Sequence, residues 1–159
     1  MPPFTPLPYT LSETIRHRKS QYCRFADTHD WPSFTSLFSP DLEAKFTGPD
    51  GEVPVTENGV TYSFSSRDEF VAFFSGAFET QQTIHLVGPG ELEQVAEDEI
   101  RAVWSLVYFS ASPGAVGGWI GNGGGHYHET WKRGEDGEWV IQKLKMVRAF
   151  WKVQVLGEA

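Results

Sequence analysis

Four side chains in this 159-residue chain have the chemistry of proton transfer: Asp27, His85, His126 and His128. Histidine titrates near neutral pH, so each imidazole can serve as base, acid or metal ligand, although an isolated histidine is more often structural. His85 opens a strand-like segment and carries both readings. His126 and His128 stand two apart in another such segment, which points both to one face and Tyr127, Glu129 and Trp131 to the other. Three readings stay open for the pair: ligands of a metal site completed by His85, acid–base groups in a pocket, or a solvated polar face. No carboxylates at fixed spacing support the metal reading, and no metal is expected. Asp27 falls in Asp27-Thr28-His29-Asp30-Trp31, at the C-terminal end of a predicted helix, where a carboxylate opposes the macrodipole. A buried histidine would offset that cost and be oriented in return. A solvated helix end is the alternative. Asp30 needs no functional reading, because it suits the N-cap of the next helix.

Cys23 is the only cysteine, which excludes an internal disulfide and a zinc site of several thiolates. Inside a helix it reads as a small core residue. The glycine-rich stretch 113–125 lacks the Gly-Lys-Ser/Thr ending and following helix of a phosphate loop. It reads as a connection between strands, either a flap with Trp119 and Ile120 at its tip or a plain hairpin loop.

The elements that must position these residues follow from periodicity. Residues 1–10, with four prolines, read as an extended arm. Thr10 and Glu13 have the spacing of a capping box, and Leu11, Ile15, Tyr22, Phe25 and Ala26 then mark a helix over about 11–27. Trp31, Phe34, Leu37 and Phe38 mark a second, short helix that Pro40 should stop. Leu42, Ala44 and Phe46 alternate as a strand, as do Val60, Tyr62 and Phe64. Ser66 and Glu69 open a third helix through Phe78. From residue 84 the period is two: strands over 84–92 (bent at Gly88-Pro89-Gly90), 100–110, 126–132 and 139–155, with a hairpin turn at Gly134-Glu135-Asp136-Gly137. Helices followed by antiparallel strands predict one α+β domain over 11–159, its helices packed on a curved sheet around an apolar pocket. The aromatic content of 14% suits such a pocket. A formal charge of −8 argues against nucleic acid and anionic membrane surfaces as partners. No apolar run approaches the roughly 20 residues of a membrane helix, and the N-terminus lacks a secretory signal, so a cytoplasmic protein is expected.

The segment Tyr22 to Trp31, followed by Leu37-Phe38-Ser39-Pro40-Asp41, resembles SnoaL-like proteins of the nuclear transport factor 2-like superfamily. Ala26-Asp27 with its D-x-x-D-W pattern, Ile84-His85-Leu86-Val87-Gly88 leading to Val95–Ile100, and Asp136-Gly137-Glu138-Trp139 leading to Leu144-Lys145 are similar to the scytalone dehydratases, fungal enzymes of that superfamily. The resemblance implies a cone-shaped barrel of strongly curved, mostly antiparallel sheet with N-terminal helices on its concave side. It also implies an aspartate that orients a histidine base at the pocket floor, positions that match Asp27 and His85. The family's second catalytic histidine falls at Ser110, its tyrosine before the aspartate at Ala26, and its substrate-contacting serine and asparagine at His126 and His128. These departures shift the expected substrate away from scytalone, toward another polyketide-like or terpenoid ring.

On this reading the Asp27–His85 pair removes a proton next to a carbonyl, and His126 or His128 donates to the enolate or a departing oxygen. Tyr108 and Ser110 share a strand face and could add hydrogen bonds. Arg148, in alternation with Leu144 and Met146, could neutralise an enolate or lie on the surface. Phe46, Trp104 and Phe74 would wall the pocket, with Met146 beside them. No step calls for a cofactor. A lyase, isomerase or cyclase of secondary metabolism is therefore expected, against two alternatives: a non-catalytic binding or association module, and a metal-dependent enzyme. By analogy with the superfamily a homo-oligomer, dimer or trimer, is expected.

Overall fold

The computed structural model describes residues 6–157. Helix α1 runs Tyr9–Asp27, α2 Trp31–Thr35 and α3 Arg67–Phe78. The strands are β1 (Phe38–Thr47), β2 (Ser63–Phe64), β3 (Gln82–Val87), β4 (Glu91–Ala96), β5 (Glu99–Ala111), β6 (Trp119–Arg133) and β7 (Trp139–Val155). They form one curved, unclosed sheet in the order β2-β1-β7-β6-β5-β3, with β4 also on β5. The sheet is mixed, because β1 runs parallel to β7 while the other pairs are antiparallel. The α+β class, with helices against the concave face, is as the sequence implies.

Helix α1 buries one stripe (Ser12, Ile15, Lys19, Tyr22, Cys23, Ala26) at three- and four-residue spacing, from which Lys19 meets Glu129 of β6 and Tyr22 packs on Tyr127, Phe34 and Phe38. It begins at Tyr9, ahead of the expected capping box. Pro8 (φ −52°) opens the helix and its carbonyl accepts from the Ser12 N–H, so Thr10 is already helical and caps nothing. The expected arm is thus cut back to the residues before Tyr9, of which 1–5 lie outside the described residues. Ser66 does cap α3: its hydroxyl accepts from the Glu69 N–H at 3.2 Å.

Four further boundaries differ from expectation, the first being that only Ser63–Phe64 of the strand expected at Val60, Tyr62 and Phe64 forms. The second helix ends at Thr35, short of Leu37 and Phe38, and Pro40, expected only to stop it, lies inside β1 with Phe38. The β1–β7 register shifts between Phe38 and Glu43, so Pro40 sits where no ladder hydrogen bond is needed. Gly88-Pro89-Gly90 separates β3 from β4, and both then share the edge of β5. Most of the glycine-rich stretch is strand: β6 starts at Trp119 and takes in Gly121, Gly123, Gly124 and Gly125. The glycines are there because neighbours leave no room. A Cβ on Gly123 would stand 2.7 Å from the Tyr108 hydroxyl, and one on Gly121 2.6 Å from the Trp151 ring. Neither Trp119 nor Ile120 is therefore the tip of a flap.

Beneath the sheet's centre lies a fully buried ion pair. Lys19 Nζ meets Glu129 Oε1, and Glu129 Oε2 accepts from the indoles of Trp104 and Trp131, each at 2.9 Å. The ammonium also sits 3.8 Å from the Tyr22 ring centroid and 3.7 Å from that of Tyr127. No described helix is long and apolar enough to cross a membrane.

Candidate active site

Asp27 ends α1 beside β3, where strand alternation turns Thr83 and His85 toward it. His85 Nδ1 lies 2.6 Å from Asp27 Oδ1, the His85 N–H donates to Oδ2 at 2.9 Å, and the Thr83 hydroxyl donates to Oδ1 at 2.8 Å. Three donors thus offset the unfavourable position of a carboxylate at a helix C-terminus. A carboxylate can only accept, so the imidazole proton resides on Nδ1. Nε2 has no partner among the described residues and is the basic nitrogen. The ring plane is held from both sides. Phe78, His85, Tyr108 and Trp151 stack in file, with centroid separations of 6.3, 5.8 and 5.4 Å.

His85 lines a cavity of about 190 Å³ between the sheet and α3. Phe46, Phe74, Phe78, Leu106 and Met146 make its apolar walls, and Thr83, Ser110, Tyr108, Tyr127 and Arg148 bring the polar groups. Register explains the convergence: Thr83 lies opposite Ser110, and His85 opposite Tyr108. Burial raises the pKa of the Tyr108 phenol, an effect that the charge of Arg148 opposes. Burial also raises Tyr127 and Tyr22, whose hydroxyls are 3.5 Å apart, so both stay protonated at neutral pH. Cys23, off the cavity, is pushed up to about 11 by burial, which leaves it an inert thiol.

Of the residues singled out in the sequence, His85, Tyr108, Ser110, Arg148, Met146, Phe46 and Phe74 line this cavity, and Asp27 stands behind His85. Three do not. His126 and His128 are exposed on the outer face of β6, because Tyr127, Glu129 and Trp131 take the inner one. Trp104 is buried below the cavity, with its indole committed to Glu129. His85 therefore does not converge with His126 and His128. Among the described residues, no three His, Cys, Asp or Glu side chains are placed to hold a metal ion.

Sequence reasoning missed Thr83, Tyr127 and Trp151. Thr83 was within reach, since it shares a strand face with His85. Trp151 was hidden by a bulge: Gly125 pairs with Arg148 and Gly124 with Phe150, so Ala149 is extra. Arg148 and Trp151 consequently turn to the same side, although plain alternation would separate them.

The class of protein is thus a curved α+β sheet with helices on one face and a cavity in whose wall stands the histidine of an aspartate–histidine pair. Residues 10–145 match the family model of the SnoaL-like domain, and the chain belongs to that family. It is 46% identical over 139 residues to the probable cyclase FGR4 of Gibberella zeae, covering 87% of this chain and 91% of the relative. Among solved structures, it superposes on a scytalone dehydratase-like protein of Novosphingobium aromaticivorans (TM-score 0.75, 15% identity, 94% of this chain and 91% of the other). It also superposes on a type 2 hexachlorocyclohexane dehydrochlorinase, LinA (TM-score 0.71, 14% identity, 94% and 93%). These two likenesses concern the fold.

Proposed function

We propose that this chain is a cofactor-independent enzyme of the cyclase or dehydratase type, with His85 as general base and Asp27 as the residue that orients it. The 2.6 Å contact between Asp27 and His85 Nδ1, with His85 on the cavity wall and its Nε2 unpaired among the described residues, carries the reading. The 46% identity to a probable cyclase supports the reaction class. His85 Nε2 takes a proton from carbon next to a carbonyl, and the C–H electron pair moves into the carbonyl as an enolate. The imidazolium, stabilised by Asp27, then returns its proton. Delivery to a departing β-oxygen completes a dehydration, delivery to another carbon an isomerisation. Attack of the enolate carbon on an electrophile in the same molecule closes a ring. The apolar walls suit a polyketide-like or terpenoid ring, and Ser110 is placed to hydrogen-bond one of its oxygens.

Deuterium uptake tests the base directly. Ring ketones incubated with the protein in D2O should exchange their acidic C–H, and His85→Ala should slow this by about 10²–10⁴-fold. Exchange that is unchanged in His85→Ala, or absent with every ketone tried, would leave a binding module of the same fold.

We propose further that the chain self-associates through the outer sheet face. Ile84 pairs with Phe109 and Leu86 with Val107 there, all four between 41% and 59% exposed and none charged. An uncharged patch of this kind is self-complementary about a two-fold axis. Light scattering should find a dimer or larger assembly that Leu86→Glu converts to monomer; a monomeric wild type refutes it.

A further inference from the structure

We infer that the cavity is built for a ligand that carries an anionic oxygen on a flat ring, and that Arg148 and Tyr108 select it. The inference rests on this cavity being the ligand site, as proposed above. Arg148 and Tyr108 are neighbours on the cavity wall, and Arg148 Nε and the Tyr108 hydroxyl are both buried without a well-formed hydrogen bond to any described residue. Buried polar atoms in folded proteins are nearly always paired, and of the three unpaired ones among the described residues two belong to adjoining residues of this one cavity wall, the third being Arg18 Nε, elsewhere on α1; the shared place of the two points to a partner that arrives with the ligand.

The partner must be an acceptor. Arg148 has only N–H groups to offer, and the Tyr108 phenol, kept protonated by burial, offers its O–H. The partner should also be negative. Among the described residues Arg148 has no ion pair and no Asp or Glu lines the cavity, while Asp27, behind His85, is occupied by His85 and Thr83. Asp50 and Glu52 border a neighbouring surface groove with Arg148, but both are exposed and neither is ion-paired with it. A half-buried guanidinium on the cavity wall, with no ion pair among the described residues of a chain of net charge −8, is a site for a charge-assisted, bidentate contact with an oxyanion.

The shape is equally specific. The guanidinium lies 6.0 Å from the Tyr108 centroid and 5.8 Å from that of Trp151, and these two rings stack on each other. They continue the stack that holds His85, so the wall from Arg148 to the base is lined by aromatic rings. Gly121 and Gly123 make it possible, since a side chain at either would collide with Trp151 or Tyr108. An apolar cavity of about 150 Å³ accepts one benzene ring, so about 190 Å³ accommodates a ring with its acidic substituent. The ligand class is therefore a cyclic carboxylate or phenolate, its oxyanion at Arg148 and its ring against the stack.

Calorimetric titration of the full chain with benzoate and with benzamide, its neutral isostere, tests this. Benzoate should bind about tenfold more tightly, the difference expected of one charge-assisted contact. Arg148→Gln should abolish the preference, Arg148→Lys should keep part of it, and Tyr108→Phe should weaken it several-fold. In competition with 4-nitrophenol, whose colour reports its ionised form, the tighter binder distinguishes a carboxylate from a phenolate ligand. Equal binding of benzoate and benzamide, a preference that survives Arg148→Gln, or no binding of any probe at millimolar concentration overturns the inference. His85→Ala should leave the preference intact, so the failure of the base and the failure of the anion site are read separately.

Discussion

Asp27→Asn should lower turnover by about 10²–10⁴-fold while leaving the fold and ligand affinity close to wild type. The carboxylate accepts three hydrogen bonds in a confined space, from the Thr83 hydroxyl, the His85 N–H and His85 Nδ1. An amide has one acceptor oxygen and one donor nitrogen. Whichever way it turns, its NH2 faces a group that was itself donating. The least costly escape is for the imidazole to move its proton to Nε2 and accept the amide N–H at Nδ1. That tautomer leaves the cavity-facing nitrogen without a lone pair to take a proton. The loss should fall on kcat and hardly on KM, because Asp27 touches His85 and not the ligand, which makes it a positioning residue. Nitrogen-15 NMR of the imidazole should report the tautomer change in the absence of substrate. A variant with the wild-type tautomer and wild-type turnover would show that Asp27 serves only to anchor β3 on α1.

How far this site could be read from the sequence depended on how local its determinants are. Asp27 announced itself through its poor fit to a helix end. His85, Tyr108 and Ser110 lie in regular strands, where alternation gives the face and pairing does the rest. The side of the sheet was a different matter for His126 and His128. Alternation grouped them correctly against Tyr127, Glu129 and Trp131, yet could not say which group is inside. A glutamate between two aromatics looks like a surface residue until its partner is known. That partner, Lys19, lies 110 residues away on α1, in the middle of an otherwise apolar stripe. The extra residue at Ala149 was equally invisible, because a bulge is set by the partner strand. The glycines of β6 did carry a signal, since glycine inside a strand marks close approach of a neighbour. Their density outweighs the alternation around them, so the sequence alone reads as a loop there.

The buried pair of Lys19 and Glu129 leads to the second large effect. Lys19→Met should destabilise the protein by about 3–5 kcal/mol, because it strands a carboxylate with two indole donors and no cation. For a chain of this size that is roughly 6–20 °C in Tm, and a large part of a typical stability of about 5–15 kcal/mol. Glu129→Gln should cost a similar amount for the opposite reason: the ammonium keeps only the faces of Tyr22 and Tyr127, at 3.8 and 3.7 Å. The double variant Lys19→Met/Glu129→Gln removes both charges and keeps an acceptor for the Trp104 and Trp131 indoles. It should recover most of the loss, so urea denaturation of all four proteins closes a cycle with a large favourable coupling. If each single variant cost less than about 1 kcal/mol, the two groups would not be held as ions in the fold. The pair lies directly under Tyr127, which forms part of the cavity floor. A stability loss in the single variants should therefore come with weakened ligand binding, and both should return together in the double variant. The ion pair would then be a support for the floor, and the charge on Lys19 would be worth keeping inside an otherwise apolar helix face only because Glu129 is there to meet it.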